Sequence, residues 1–300
     1  MTGLDYSYNA FGLRIRSEIE CEQLLPGVGH PDVRVRLGYV PECLDHAAAQ
    51  GVLYQSTAGK FLLNIDRVAR YLVSDGNEIL INPAPDADFD AIRLFLFGTA
   101  FGALLHQRGI LPLHGSAIVT TGGAVVFAGL SGCGKSTIAG AFHQRGYPVL
   151  ADEICAVDTG DSLRVMPANP FLMLWADALR EMGLDRIGLR PARSQIEKYI
   201  LPLGNGFATE ATRLRALYIV ETTQSDLLSV PTPIKGLGKI EALARNTYRP
   251  HFVEHMNLEG KHLRQIAAIA LRIPVRRIDR PRGPFRLGDL VNLLEEDFEA

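Results

Sequence analysis

The chain has 300 residues, a formal net charge of −2, 47% hydrophobic residues and 21% charged residues. That length admits one large domain or two ordinary ones, and the apolar share is enough to bury a core. A charge so close to balance argues against a broad electrostatic surface, so neither nucleic acid nor a membrane is expected as a partner.

The opening stretch, MTGLDYSYNAFGLRIRSEIE, has no basic start followed by an apolar run, so no secretory signal is expected. Residues 11–19 alternate in part, and residues 33–40 (VRVRLGYV) alternate cleanly, which is the period of a half-buried strand. Further strands are predicted over 61–65, 69–73 and 78–81, with Asp75-Gly76 as the hairpin turn between the last two. Residues 83–90 (PAPDADFD) are turn-rich and acidic and supply N-caps for a helix over 89–108. The apolar run 94–105 inside that helix falls short of the about 20 residues of a membrane span and reads as a buried helix. The expected organisation so far is a small β-rich domain over 1–86 and a connecting helix over 87–110.

From residue 111 onward, strands and helices alternate, the pattern of an α/β core occupying 111–300. Strands are predicted over 111–120 and 123–130, joined by Thr121-Gly122. A glycine-rich loop and a helix over 135–144 follow, with Gly146 as the residue that ends the helix. A short apolar strand over 147–151 then runs into Asp152-Glu153. Beyond it come a strand at 163–166, a helix at 172–182, a strand at 214–221, helices at 238–248 and 261–271, a strand at 275–278 and a helix at 287–298. Trp175, placed on the amphipathic 172–182 helix, reads as core rather than as a base-stacking residue.

Gly129-Leu130-Ser131-Gly132-Cys133-Gly134-Lys135-Ser136 fits GxxxxGK[ST] in full, and Thr137 follows it. Glycines let the backbone curl so that successive N–H groups point at phosphate oxygens. The helix N-terminus adds unpaired donors and a positive dipole end. Lys135 is placed to reach the β and γ phosphates, and the Ser136 hydroxyl to ligate Mg²⁺. An apolar strand before the loop and a helical pattern after it are the context such a loop requires, so ATP and Mg²⁺ are the expected cofactors. Cys133 has two readings: a filler at an unconstrained position, or a thiol made acidic by the helix end. The four cysteines, Cys21, Cys43, Cys133 and Cys155, show no ligand spacing, which fits reduced thiols and a cytoplasmic location.

Phosphoryl transfer also needs carboxylates, one for Mg²⁺ and one to accept the proton of an attacking hydroxyl. Asp152-Glu153 begins 17 positions after Lys135, a gap filled by one helix, one turn and one strand. That places the pair at a strand end near the phosphates, an exposed turn being the plain alternative. Adjacent acids on an extended segment point opposite ways, which suits separate roles without saying which acid takes which.

At these residues the chain resembles a known family. LHGSAIV, then FAGLSGCGKSTIAGAFHQRGYPVLADEICAV, is similar to the kinase core of HPr kinase/phosphorylase. GNGFATEATRLRALYIVE and IKGLGKIEALARNTYR resemble that family's glycine-rich second signature and its later loop-to-helix segment, and the likeness covers about Leu111 to Arg249. The resemblance implies a phosphate-loop kinase core of the phosphoenolpyruvate carboxykinase type. It implies that Asp152 matches the catalytic acid–base, that Glu153 replaces a second Asp serving metal or acceptor, and that His114 matches a histidine near the phosphates. Without it, His114 reads equally well as a satisfied strand histidine. Thr137 stands where the bacterial regulators carry Glu, and Lys239 where they carry Arg. These departures argue against HPr itself as the substrate and against the reverse phosphorylase reaction. The β-rich start, QRGILPLHGSA, LMLWADALREMG and KYILPL are closer to a divergent branch that includes lasso-peptide precursor kinases.

The expected activity is therefore transfer of the γ-phosphate to a serine hydroxyl of a peptide or protein. A small-molecule kinase and a slowly turning nucleotide-dependent binding module are the rival classes, and a homo-oligomer is compatible with either. Arg272, Arg276, Arg277, Arg280, Arg282 and Arg286 cluster within fifteen residues. They form either a solvated face or a dock for a carboxylate. Lys198-Tyr199 and the pair Arg245 and Arg249 are further candidates for that docking role.

Overall fold

The computed structural model describes residues 5–192, 196–225, 228–282 and 286–299. The chain divides into two compact units, Met1–Pro112 with Arg249–Arg264, and Leu113–Tyr248 with Gln265–Ala300. Residues 87–110, read from sequence as a connection, fall inside the first unit, and a segment far along the chain returns to it.

In the first unit the described residues form a nine-stranded sheet. Its clearest hairpin joins Ala69–Ser74 to Glu78–Pro83. Asp75 and Gly76 lie there at φ 50° and 68°, the paired left-handed residues of a tight hairpin turn. Asp88 caps the following helix by accepting from the Asp90 N–H. The helical run Phe89–Arg108 is long and apolar enough to cross a membrane, yet 61% of its most apolar window is buried within the protein. Ile92, Leu96, Phe101, Leu104 and Leu105 are fully buried, and the Phe101 ring stacks on Phe11 at 5.3 Å. This is a core helix.

The second unit is built on an eight-stranded sheet among the described residues. The Gly123–Ala128 strand lies inside it, antiparallel to Leu111–Thr120 on one side and parallel to Thr212–Thr223 on the other. Thr212–Thr223 is in turn parallel to Val275–Pro281. Flanked on both sides, Gly123–Ala128 is apolar almost throughout, as a strand buried on both faces must be. The Lys135–Gln144 helix lies against the sheet, with the Phe142 ring stacked on Phe127 at 5.7 Å. Full burial of each such ring contributes about 1.5–3 kcal/mol. Gly146, at φ 89°, ends this helix as expected.

One predicted element is wrong. Residues 171–175 form a strand, Phe171–Trp175, and only Ala176–Glu181 is helical. The apolar residues there suit either period. What decides is a tertiary partner, Lys198–Pro202, which pairs antiparallel with the strand along its whole length. Trp175 sits at the strand end, 47% exposed, and is not core.

Candidate active site

The glycine-rich loop leaves the sheet after Ala128, where the neighbouring strand presents Gly115 and the parallel strand Ile219. A Cβ on Gly129 would lie 2.5 Å from the Val220 carbonyl oxygen and 2.6 Å from Cys133 Sγ, so only glycine lets the loop start this close to the sheet. Gly134, at φ 97°, turns the chain into the Lys135–Gln144 helix, and Arg280 packs against its bare face. The Lys135–Gln144 helix has no side-chain N-cap bond, and the first N–H groups of a helix have no partner within it, so donors are available at the end of the loop.

Lys135 is buried, and its ammonium donates to the carbonyl oxygens of Gly129 and Leu130, each at 2.9 Å, and to His114 Nε2 at 3.1 Å. Because Nε2 accepts there, Nδ1 carries the hydrogen and donates to the Glu153 carbonyl oxygen at 3.1 Å. His114 is thus held as the neutral imidazole. Burial pushes its pKa below the ordinary value and Lys135 adds to this, against the opposing pull of Glu153. The backbone of this strand ties the parts together. The His114 N–H donates to the Asn246 carbonyl, Gly129 N–H to the His114 carbonyl, and Gly115 N–H to the Glu153 carbonyl.

The two acids occupy separate surroundings. Asp152 is 4% exposed. Its Oδ1 accepts from Ser116 Oγ at 2.6 Å and Ser136 Oγ at 2.8 Å, and its Oδ2 accepts from the Met173 N–H at 2.9 Å. Glu153 is not on extended backbone as the sequence suggested. It lies at φ 66° between two strands, a left-handed conformation that costs a non-glycine residue about 1–3 kcal/mol. Its carboxylate lies 3.4 Å from Lys198 Nζ and 3.8 Å from His114 Nδ1. Burial pushes Glu153 up, but Lys198, His114 and Lys135 together outweigh it and hold the carboxyl below its usual range.

Cys133 is 4% exposed. Burial pushes its thiol up, against the cations of Lys135 and Arg280. Both features count against a thiol made acidic by the helix end.

Beside the loop lies a cleft of about 750 Å³, bounded by Gly129–Ser131, Val220, Glu241, Arg245, Arg277 and Arg282 among others. Its size suits a nucleotide-sized ligand. The arginine run does not act as one surface. Arg272 donates to the Gly160 and Asp161 carbonyls, Arg276 pairs with Asp297, Arg277 with Asp279 and Arg286 with Asp289. Arg277 and Arg282 line the cleft, and Arg280 abuts the loop. Arg249 belongs to the first unit. Lys239 is spent on the Ala270 and Ile273 carbonyls, each at 2.9 Å.

Sequence reasoning passed over Ser116. A signal existed: His114 and Ser116 are two apart on one strand and so share a face. Lys198 stood only as a docking candidate, and no local pattern pairs it with Glu153, 45 residues earlier. Among the described residues, no group of three or more His, Cys, Asp or Glu could hold a metal ion. Ser136 and Asp152 side by side are oxygen donors of the kind Mg²⁺ takes in small number.

No protein-family model matches the chain. No curated protein matches it significantly either. Among solved structures, one described as "Structure of the Hpr(Ser) kinase/phosphatase from Coxiella burnetii" is similar over 63% of this chain and 90% of its own, at a TM-score of 0.36 and 13% identity.

Proposed function

We propose that this chain is a Mg-ATP-dependent kinase transferring the γ-phosphate to a serine hydroxyl of a peptide or protein. A ribosomally made, lasso-type precursor peptide is the substrate class its sequence resemblance favours. One observation carries the reading: the loop lysine is hydrogen-bonded to His114, the Ser136 hydroxyl at the helix N-terminus is hydrogen-bonded to Asp152, and a second, separately held carboxylate, Glu153, lies 3.8 Å from His114. A structural loop has no need of that set.

The loop amides and Lys135 hold phosphate oxygens, the ammonium exchanging the Gly129 and Leu130 carbonyls for them. Neutral His114 keeps Lys135 aimed without adding a competing charge. Ser136 and one of the two acids would hold Mg²⁺, the Glu153 carboxylate being the one left for it when Asp152 takes the proton; the ion when bound neutralises charge on the phosphate oxygens. The serine oxygen bonds to the γ-phosphorus as the bridging bond to ADP breaks, ADP keeps the electron pair, and the hydroxyl proton passes to Asp152.

The test is intact-mass spectrometry of serine-containing peptides incubated with Mg-ATP and either wild-type enzyme or Asp152→Asn. One added phosphate with wild type alone supports the reading. Product formed from a metabolite extract without peptide transfers it to a small-molecule kinase. Tight Mg-ATP binding with neither product transfers it to a binding module.

A further inference from the structure

The sheet that holds Phe171–Trp175 and Lys198–Pro202, three-stranded among the described residues, carries a surface the reaction above leaves unused. Directly opposed residues of an antiparallel pair share a face. Trp175 opposes Lys198, Met173 opposes Ile200 and Phe171 opposes Pro202. The other face carries Leu172 and Leu174, both buried. Leu172 Cδ1 lies 3.5 Å from where a Cβ on Gly140 would stand, so that face packs on the phosphate-loop helix. The Trp175 face is left half-buried to exposed.

This surface joins the acid pair at two points. The Met173 N–H donates to Asp152 Oδ2 at 2.9 Å. Lys198 Nζ lies 3.4 Å from Glu153 Oε2 and 6.0 Å from the centre of the Trp175 ring, within reach of a cation–π contact. A strand from Phe171 to Trp175 spans about 13 Å at the usual rise per residue. A single amino acid or sugar covers only part of that length, whereas an extended peptide covers all of it.

We propose that the face formed by Phe171, Met173, Trp175 and Ile200 is the acceptor platform, taking a polypeptide whose serine is flanked by a large apolar side chain. The apolar side chain lies on Met173 and Trp175 and brings the serine hydroxyl to the acids. Lys198 is a positioning residue: it holds the Glu153 carboxylate at the end of the platform. The inference rests on the kinase reading and adds its specificity-determining residues.

The test is a random library of serine-containing octapeptides with Mg-ATP, read by mass spectrometry. Calorimetry with Mg-ATP and emission from Trp175, the chain's single tryptophan, run in parallel. Wild-type enzyme should prefer peptides with aromatic or large aliphatic residues beside serine by on the order of tenfold, as apolar pockets discriminate. Library peptides should shift the Trp175 emission, and free serine should do neither. Trp175→Ala should flatten the apolar preference. Lys198→Met should slow all peptides alike and keep the preference, with Lys198→Arg restoring part of the rate. Phosphorylation without apolar preference, unaltered preference in Trp175→Ala, or free serine equal to the peptides would each overturn the platform. Mg-ATP binding with no modified peptide and no emission change overturns the platform and leaves the nucleotide site standing. No Mg-ATP binding sinks the kinase reading, and the platform with it.

Discussion

The Ser136 hydroxyl donates to Asp152 Oδ1 at 2.8 Å, joining the first turn of the phosphate-loop helix to the end of the neighbouring strand. Helix and strand are separated by a turn in sequence, and this contact fixes how far the carboxylate stands from the loop. Asp152→Asn keeps the shape and removes the proton acceptor. It should preserve Mg-ATP binding and lower transfer by about 10²–10⁴-fold. Glu153→Gln should act more through the Mg²⁺ concentration needed for half-maximal rate. Wild-type turnover in Asp152→Asn would refute the assigned role.

Ser116→Ala removes the shortest bond to the same carboxylate oxygen, at a site fully buried. Losing a hydrogen bond to a buried charged group costs about 1.5–3 kcal/mol. Urea unfolding should show that loss, and transfer should fall with Mg-ATP affinity nearly kept. An unchanged midpoint together with unchanged turnover would show that Ser116 does not position Asp152.

Lys135→Ala removes the ammonium that bridges His114 and the loop carbonyls. Transfer should be abolished and Mg-ATP affinity should weaken, as read by calorimetry. Equal affinity and equal turnover would mean that the loop does not hold the triphosphate.

The pH dependence follows from two directions. His114 is held below the ordinary imidazole value, so its contribution to folding is present above about pH 6.5 and is lost as pH falls and the unfolded chain takes the proton first. Glu153 is held below the ordinary carboxyl value, so its contribution fades only at lower pH, as the folded carboxylate takes up a proton. Urea midpoints should therefore drop between pH 7.5 and 5.5, and His114→Gln should reduce that drop. A variant with the wild-type slope would show that His114 does not titrate in this way.

Cys133, buried and with its thiol pushed up, should react slowly with a maleimide at neutral pH, while the exposed Cys43 labels first. Mg-ATP should slow Cys133 further by covering the loop. Peptide mapping after timed labelling reads both sites. Labelling of Cys133 at the same rate with and without nucleotide would place the triphosphate elsewhere.

The sequence alone determined what depends on neighbours in the chain. The glycine-rich loop between a strand and a helix was legible because its glycines, lysine and serine fall within eight consecutive residues. The Asp75-Gly76 hairpin was legible because the turn chemistry sits between two alternating runs. Tertiary structure decided the rest. Residues 171–175 are a strand because Lys198–Pro202 pairs with them, and local propensity does not encode a partner so distant. Asp152 faces Ser116, and Glu153 faces Lys198 from a left-handed turn between two strands, whereas sequence placed both on extended chain. The arginine run is dispersed for the same reason: Arg272, Arg276, Arg277 and Arg286 go to acids or carbonyls that folding brings within reach, while Arg277, Arg280 and Arg282 lie at the cleft or the loop.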